Sequence, residues 1–285
     1  MEFFLISTDH LSEHLWFKDF EDYKAGMNLV AVSAFVTGIH VIAFILMSNH
    51  VHFVVEGSEE DALRFISDFK ARYSLYYSHK YGKAEILRRN GVDIQSVPLA
   101  GESLERVIAY VQMNSVAANI CMSADAYPWG TGRTFFSYQP EKGRSLSSLS
   151  VRERRFVVHS KTELPDNYIL LDDGFISPAS FVNRTFVESL FRTPKRMTFF
   201  LQSSSKARKA LSGENYASFK DQNIVQASSD LCRSLYRKRD LKELDATQLA
   251  EIVRQLKYRF SADVAQLARV CDLSYEKVAS ILDSY

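Results

Sequence analysis

The chain has few cysteines and lacks a hydrophobic run long enough to cross a membrane. Its three cysteines, Cys121, Cys232 and Cys271, form no Cys-x-x-Cys pair, which argues against both a disulfide framework and a thiolate metal site. The longest apolar stretches, at 28–39 and 41–47, are too short and too interrupted for a transmembrane helix, and no signal-peptide pattern opens the chain. We therefore expect a protein of the reducing cytoplasm without a membrane segment.

The net charge is only +1, but the charges are unevenly distributed. Residues 1–65 contain ten acidic and three basic side chains, so the remaining residues carry a net charge of +8. Between 70 and 90, six basic residues face a single acid, Glu85, with four tyrosines interleaved. Cations beside aromatic rings are typical of surfaces that bind single-stranded nucleic acid; the alternative is a solvated amphipathic helix whose tyrosines pack inward. The residues assigned to this DNA-binding surface are Lys70, Arg72, Tyr73, Tyr77, Lys80, Lys83, Arg88 and Arg89.

Hydrophobic periodicity predicts strands and helices that alternate along the first 121 residues. A tight turn at Ser48 and Asn49 separates the second strand from the third. This order indicates an α+β fold in which an antiparallel sheet carries helices on one face. The predicted strands lie at 2–8, 40–47 and 51–55, with one or two more at 86–99, and the predicted helices lie at 17–39, 59–81 and 104–121.

The triplet His50-Val51-His52 is a candidate metal-binding motif. Residues i and i+2 of a strand project to the same face, so both imidazoles can approach one metal ion while Val51 points to the opposite face. Two nearby histidines on a strand are also commonly just solvated. The apolar strands on either side place the triplet centrally on the sheet and favour the metal site.

Tyr110 and Asn114 form a second candidate pair. On a helix, residues i and i+4 share one face about 6 Å apart. Asn114 offers a carbonyl oxygen suited to a hard divalent ion, and Tyr110 offers a phenol that can attack a phosphorus atom. Taken alone, a helical tyrosine beside an asparagine is more often a packing or capping pair.

Both motifs together resemble the single-tyrosine HUH transposases, and most closely the REP-associated tyrosine transposases and their relatives. The run LMSNHVHFVV at 46–55 contains the family's Asn-His-hydrophobic-His strand, and YVQMNSVAA at 110–118 contains its Tyr-x-x-x-Asn helix. The segment YPWG at 127–130 is also similar. The resemblance covers roughly 1–135. Ser115 stands where many relatives have proline, and the acidic N-terminal segment lacks the family's basic opening.

The resemblance implies a ferredoxin-like HUH core and a DNA-cleaving, strand-transferring activity. A divalent ion, Mg²⁺ or Mn²⁺, is expected to be held by His50, His52 and Asn114 and to polarise the scissile phosphate. Attack by Tyr110 is expected to leave a 5′-phosphotyrosine and a free 3′-hydroxyl. The implied substrate is single-stranded DNA bearing a REP-like hairpin, in a cytoplasmic, nucleoid-associated setting, and either a monomer or a homodimer fits.

The C-terminal residues 261–284 have the apolar spacing of a helix-turn-helix. Ala268 is expected where the two helices touch, and Asp272 at the turn, because aspartate enters the left-handed region more easily than most residues. Lys277 is assigned to DNA contact. Any two-helix hairpin can show the same spacing, which leaves dimerisation as an alternative role for this unit.

We thus expect a catalytic domain at 1–135, a connecting region at 136–200 and a helical C-terminal domain at 201–285. Two other functions stay open. One is a domesticated, sequence-specific DNA-binding regulator that retains the transposase fold. The other is a metal-dependent enzyme of unrelated chemistry, which would need a third histidine or carboxylate near the hairpin and no role for Tyr110.

Overall fold

Four strands in the first hundred residues pair into one antiparallel sheet. They are β1 (Phe3–Thr8), β2 (His40–Met47), β3 (His50–Glu56) and β4 (Val92–Val97). The structure is a computed structural model and describes residues 2–11, 14–82, 90–118, 120–137, 141–212, 221–260 and 262–283. In it β1 pairs with both β3 and β4, and β2 pairs with β3, so the order across the sheet is β2-β3-β1-β4. The predicted antiparallel sheet is confirmed.

Two long helices cover one face of this sheet. Helix α1 (Phe20–Thr37) begins where the Asp19 carboxylate accepts a hydrogen bond from the backbone of Asp22, and it ends at Gly38, whose φ of 73° favours glycine. Helix α2 (Glu59–Tyr81) begins at a capping box formed by Ser58 and Asp61. The helix predicted at 59–81 is confirmed at both ends, and the first helix begins three residues later than predicted.

A further helix lies on the opposite face, so the expectation that all helices share one face is wrong. Successive residues of β3 point to opposite sides of the sheet. The Phe53 ring packs against Phe65 and Phe69 of α2, with centroids 5.1 and 5.4 Å away. The neighbouring His52 instead contacts Tyr110, which lies on α3 (Ser103–Gln112). Because both faces of β3 are buried, each needs a covering helix, and α3 covers the face that carries the histidines.

The helix predicted at 104–121 is interrupted. After α3, the residue Met113 leaves helical geometry at φ −88° and ψ 2°, and a short helix α4 (Asn114–Ala117) follows. The Asn114 side-chain nitrogen donates to the carbonyl oxygens of Tyr110 and Val111, at 2.9 and 3.4 Å. This side chain competes for carbonyls that the helix backbone otherwise uses, which accounts for the local break.

Residues 141–183 add a small unit that braces α1. Strands β5 (Gly143–Ser145) and β6 (Ile169–Leu171) pair, and helix α5 (Val151–Val158) lies between them in the chain. The Asn28 side chain of α1 donates to Val157 O at 2.9 Å and accepts from Ile176 N at 2.7 Å. The buried apolar residues shared by α1 and this unit are Ala31, Val32, Leu146, Leu149, Val158, Leu164, Leu170 and Ile176.

Helices α6 (Arg184–Phe191) and α7 (Pro194–Ser212) lead from this unit towards the C-terminus. Helix α7 packs against α3. The guanidinium of Arg196 also joins the two, since it lies 3.0 Å from the Glu102 carboxylate and 3.3 Å from that of Glu105. The helix that carries Tyr110 is therefore held between the sheet and α7.

The C-terminal helices enclose a second hydrophobic core. They are α8 (Asp221–Tyr236), α9 (Ala246–Phe260), α10 (Val264–Cys271) and α11 (Tyr275–Asp283). Ala268 and Val278 are fully buried, and Asp272 adopts the expected left-handed conformation at φ 57° in the turn between α10 and α11. Among the residues that the structure describes, no helix is long and apolar enough to cross a membrane.

Candidate metal centre and neighbouring tyrosine

Three histidines meet at the end of the sheet where the β2–β3 turn lies. His50 and His52 project from the same face of β3, with ring centroids 4.9 Å apart and nearly perpendicular planes. His10, two residues past the end of β1, stacks on His50 with centroids 3.7 Å apart. One ring nitrogen from each of the three lies within 4.8 Å of the other two. His50 and His52 are buried and His10 is exposed, so the cluster opens to solvent on one side.

The outer nitrogen of each β3 histidine has a partner that orients the ring. Asn49 Oδ1 lies 2.9 Å from His50 Nδ1, and Asn49 Nδ2 donates to the Leu11 carbonyl at 3.0 Å. Because that donation turns the amide oxygen towards His50, Nδ1 of His50 carries its proton and Nε2 keeps a lone pair for a metal ion. Ser7 Oγ lies 2.8 Å from His52 Nδ1 and can accept a hydrogen bond from it in the same way.

Backbone hydrogen bonds fix the turn that precedes His50. The Ser48 carbonyl accepts from the backbone nitrogens of Trp16 and Phe17, at 2.8 and 3.2 Å. The Asn49 carbonyl accepts from Leu11 N at 3.0 Å. The segment after β1 therefore holds the turn and also carries His10, which explains how the third imidazole reaches the other two.

The sequence prediction did not include His10 in the histidine cluster. The sequence does place this histidine just after the first strand. That position brings it near His50 and His52 only if the first strand pairs with the third. Ser7 of β1 pairs with His52 of β3, which places the end of β1 beside the start of β3. Hydrophobic periodicity does not give this pairing, so His10 could not be brought to the other histidines from sequence alone.

Tyr110 lies against the histidine cluster. Its ring makes an edge contact with His52, with centroids 5.5 Å apart, and its side chain is half-buried. Buried neighbours Ile108 and Val111 fix the helix below it. The structure thus brings together the histidine pair and the tyrosine, which are separated by almost sixty positions in the chain.

Asn114 is buried one helical turn beyond Tyr110. Its amide nitrogen is committed to the backbone carbonyls of α3, which leaves the Oδ1 atom as its metal-binding group. Its assignment as a ligand stays a prediction.

The donor set fits a divalent ion, although not equally for the two metals expected. Imidazole nitrogen suits first-row transition ions, whereas Mg²⁺ prefers oxygen ligands and retained water. Three imidazoles therefore favour Mn²⁺ or a later transition ion over Mg²⁺. Residues His10, His50 and His52 would hold such an ion.

The two tyrosines assigned to DNA binding lie in the core, so that assignment is wrong. Tyr73 is fully buried and donates its hydroxyl to the Trp16 carbonyl at 2.6 Å, and Tyr77 is 4% exposed. They continue the apolar stripe of Phe65 and Phe69 at intervals of four, which turns their rings towards the sheet and away from any strand of DNA.

Three of the cations predicted to bind DNA instead form hydrogen bonds or ion pairs within the chain. Lys70 is buried and donates to the Asn90 carbonyl, and burial lowers its pKa. Arg72 pairs with Asp68 at 2.6 Å. Lys80 lies 2.7 Å from the carboxylates of both Asp19 and Asp22. Lys277 is exposed on α11, and Lys83, Arg88 and Arg89 lie outside the described residues.

Comparisons of this chain with protein-family models, with curated proteins and with solved structures gave no match. The functional interpretation therefore depends on the geometry of the site and on the two sequence motifs.

Proposed function

We propose that this protein is an endonuclease and transposase that cleaves and rejoins single-stranded DNA, with Tyr110 as nucleophile beside a divalent metal ion. The observation that carries the proposal is the contact between the Tyr110 ring and His52 within a three-histidine cluster. A nucleophile for phosphoryl transfer must lie next to the group that stabilises charge on the phosphate. Tyr110 and the histidines meet that requirement on two separate elements.

The proposed reaction exchanges one phosphodiester for another. The Tyr110 phenolic oxygen bonds to phosphorus, the bond from phosphorus to the 3′-oxygen breaks, and the proton lost by the phenol is balanced by one gained at the departing 3′-oxygen. The 5′ end of the DNA is then joined to Tyr110. An ion bound at the site supplies charge stabilisation for the phosphate. Attack by another 3′-hydroxyl reverses the exchange and rejoins strands without an external energy source.

The fold supports this assignment without carrying it. The order β1-α1-β2-β3-α2-β4 is consistent with the ferredoxin-like arrangement that the resemblance to single-tyrosine HUH transposases implies, and the tyrosine-bearing helix covers the histidine face. Because a fold alone does not define a reaction, the proposed function depends on the geometry of the site. The hairpin of α10 and α11 is proposed to recognise the DNA hairpin as a helix-turn-helix.

The proposal is tested with 5′- and 3′-labelled hairpin oligonucleotides incubated with Mn²⁺ and resolved on a denaturing gel. We expect the wild-type protein to form a covalent adduct with the 5′ end, and Tyr110→Phe to form none while still binding the DNA. Tyr168→Phe is the matched control, because Tyr168 is half-buried in the accessory unit, far along the chain from the histidines. Adduct formation by Tyr110→Phe would overturn the assigned nucleophile.

A specific observation favours a second candidate. His10 supplies the third imidazole that a metal-dependent enzyme of unrelated chemistry needs, and three histidines with an open position are typical of catalytic zinc sites. The two candidates differ in Tyr110. Metal-dependent hydrolysis of the labelled oligonucleotide that persists in Tyr110→Phe but is lost in His50→Ala would favour the second candidate. Tight DNA binding with neither adduct nor hydrolysis would instead indicate a domesticated regulator.

A further inference from the structure

A groove lies between the C-terminal half of α2 and the end of α5. It is on the side of the sheet covered by α1 and α2, opposite the side that carries Tyr110. Its cavity volume is about 680 Å³. The two walls are joined where Arg72 Nη1 donates to Ser160 Oγ at 3.2 Å and where the Tyr76 and His159 rings make an edge contact at 4.9 Å. The groove thus exists because the 141–183 unit packs across α1 and reaches α2.

The groove is lined by cations. Arg155 and Lys161 are both exposed, and within the described part of the chain neither has an ion-pair partner. His79 is also exposed, and Arg72 forms an ion pair with Asp68 at 2.6 Å. Asp68 itself is not part of the lining, and no described lining residue is acidic. An anionic ligand is therefore the complement of this surface.

Aromatic and apolar surface accompanies the charge. Phe156 is 78% exposed and lies 6.3 Å from the His159 ring, and Leu75 is 69% exposed on the opposite wall. Burial lowers the pKa of His159, which favours the neutral form of a ring that offers a flat face for stacking. Exposed rings beside cations match the alternation of bases and phosphates along a single strand.

We propose that this groove, lined by Arg72, Tyr76, Arg155 and Lys161 with Phe156 beside His159 of its wall, binds single-stranded DNA at a distance from the cleaved phosphate. The inference rests on the proposed function for its choice of nucleic acid. It replaces the surface predicted from the tyrosines of α2, because Tyr73 and Tyr77 face the core while Tyr76 lines the groove. A duplex is a poorer ligand here, since its bases are paired and cannot stack on side chains.

The test measures anisotropy of a fluorescein-labelled oligothymidylate of twenty nucleotides in EDTA, with Tyr110→Phe protein so that no cleavage occurs. Arg155→Ala combined with Lys161→Ala is expected to raise Kd about tenfold and to reduce the slope of log K against log salt by about 1.4, because each phosphate contact on a single strand contributes about 0.7. Phe156→Ala is expected to raise Kd about tenfold through lost stacking.

The matched control is Arg239→Ala combined with Lys242→Ala, which removes the same charge from exposed positions of the C-terminal unit. All substituted side chains are exposed, so folding is checked by circular dichroism and is expected to be unchanged. Equal weakening by both double variants would overturn the groove. So would binding of phosphatidylserine vesicles together with no effect of the groove variants on the oligonucleotide.

Failure of the groove and failure of the proposed function have different signatures. Weaker oligonucleotide binding by the groove variants, in a protein that never forms a covalent adduct, would retain the groove and reject the enzyme. Adduct formation by a protein whose groove variants bind as tightly as the parent would retain the enzyme and reject the groove.

Discussion

A chain of hydrogen bonds determines which nitrogen of His50 can bind a metal ion. The Asn49 side-chain nitrogen donates to the Leu11 carbonyl, which turns the Asn49 side-chain oxygen towards His50. That oxygen then accepts a hydrogen bond from His50 Nδ1. Outer partners of this kind fix the tautomer and orientation of metal-binding imidazoles. The polar residue before the histidine pair is therefore part of the site.

The assignment of His10 as a metal ligand gives a measurable prediction. His10→Ala is expected to lower Mn²⁺ affinity at least about 100-fold, because even an outer-shell partner of a metal ligand is typically worth about 10- to 100-fold. Isothermal titration calorimetry measures this. The control is His40→Ala, since His40 lies at the exposed start of β2, at the opposite end of that strand. Unchanged affinity in His10→Ala would leave a site of His50, His52 and Asn114.

Single residues of the site differ in how far sequence could place them. His50 and His52 follow from the two-residue repeat of a strand. Tyr110 could be chosen only because the spacing to Asn114 matched a family motif. His10 required the pairing of β1 with β3, which depends on contacts between distant parts of the chain.

At the scale of elements, α2 shows why its length was predictable and its tyrosines were not. The helix begins at a serine followed by three acids and ends at Gly82, whose φ is 71°. Residues next to each end therefore determine where the helix begins and ends. A tyrosine, in contrast, is half apolar and fits either a core or a binding surface. The spacing from Phe65 through Phe69 to Tyr73 was the signal that decided between them.

The capping box of α2 predicts a pH-dependent loss of stability. Hydrogen bonds from Ser58 lower the pKa of Asp61 below its ordinary value of 3.8. A carboxyl whose pKa is depressed by folding stabilises the native state above the unfolded pKa, and this contribution is lost as pH falls through the folded value. Ser58→Ala is therefore expected to lower the urea midpoint at pH 7 and to have a smaller effect near pH 2.

A second capping box in the chain is expected to show the same pH-dependent loss of stability. Ser150 and Glu153 cap α5 in the same way, and their hydrogen bonds lower the pKa of Glu153. Ser150→Ala is the comparison variant, measured by urea unfolding at both pH values. A Ser58→Ala penalty that is equal at pH 7 and pH 2 would show that the carboxylate contributes nothing to the cap.

At the scale of the whole molecule, the C-terminal helices are hydrogen-bonded to the turn that precedes His50. The Asp221 carboxylate accepts from Ser48 Oγ at 2.5 Å, from Gln266 at 2.8 Å and from Arg269 at 2.9 Å. His14 Nδ1 lies 2.6 Å from Asp272 in the turn of the helix-turn-helix candidate. One buried carboxylate thus links α8, α10 and the β2–β3 turn.

Removing that carboxylate is expected to loosen both units. Asp221→Asn leaves the Arg269 guanidinium without its charge partner, and breaking a buried pair costs about 3 kcal/mol of unfolding free energy. Urea unfolding measures this, and Mn²⁺ affinity is expected to fall as well because the bond from Ser48 to a charged carboxylate, which steadies the turn, becomes a weaker neutral one. Asp230→Asn, an exposed position on the same helix, is the control. Equal stability of the two variants would contradict the proposed link.

Sequence could predict the two helices of this unit but not their docking. Periodicity and the left-handed preference of aspartate are local properties, and both were confirmed at Ala268 and Asp272. Ser48 and Asp221 are 173 positions apart, and nothing in either neighbourhood identifies the partner.

The order in which the chain is synthesised gives this link a further consequence. Polypeptides fold as they leave the ribosome, with N-terminal parts first. The three histidines and Tyr110 are translated well before Asp221, whose carboxylate fastens the β2–β3 turn. A nascent chain therefore carries the proposed reacting side chains before Asp221 is present to brace the β2–β3 turn.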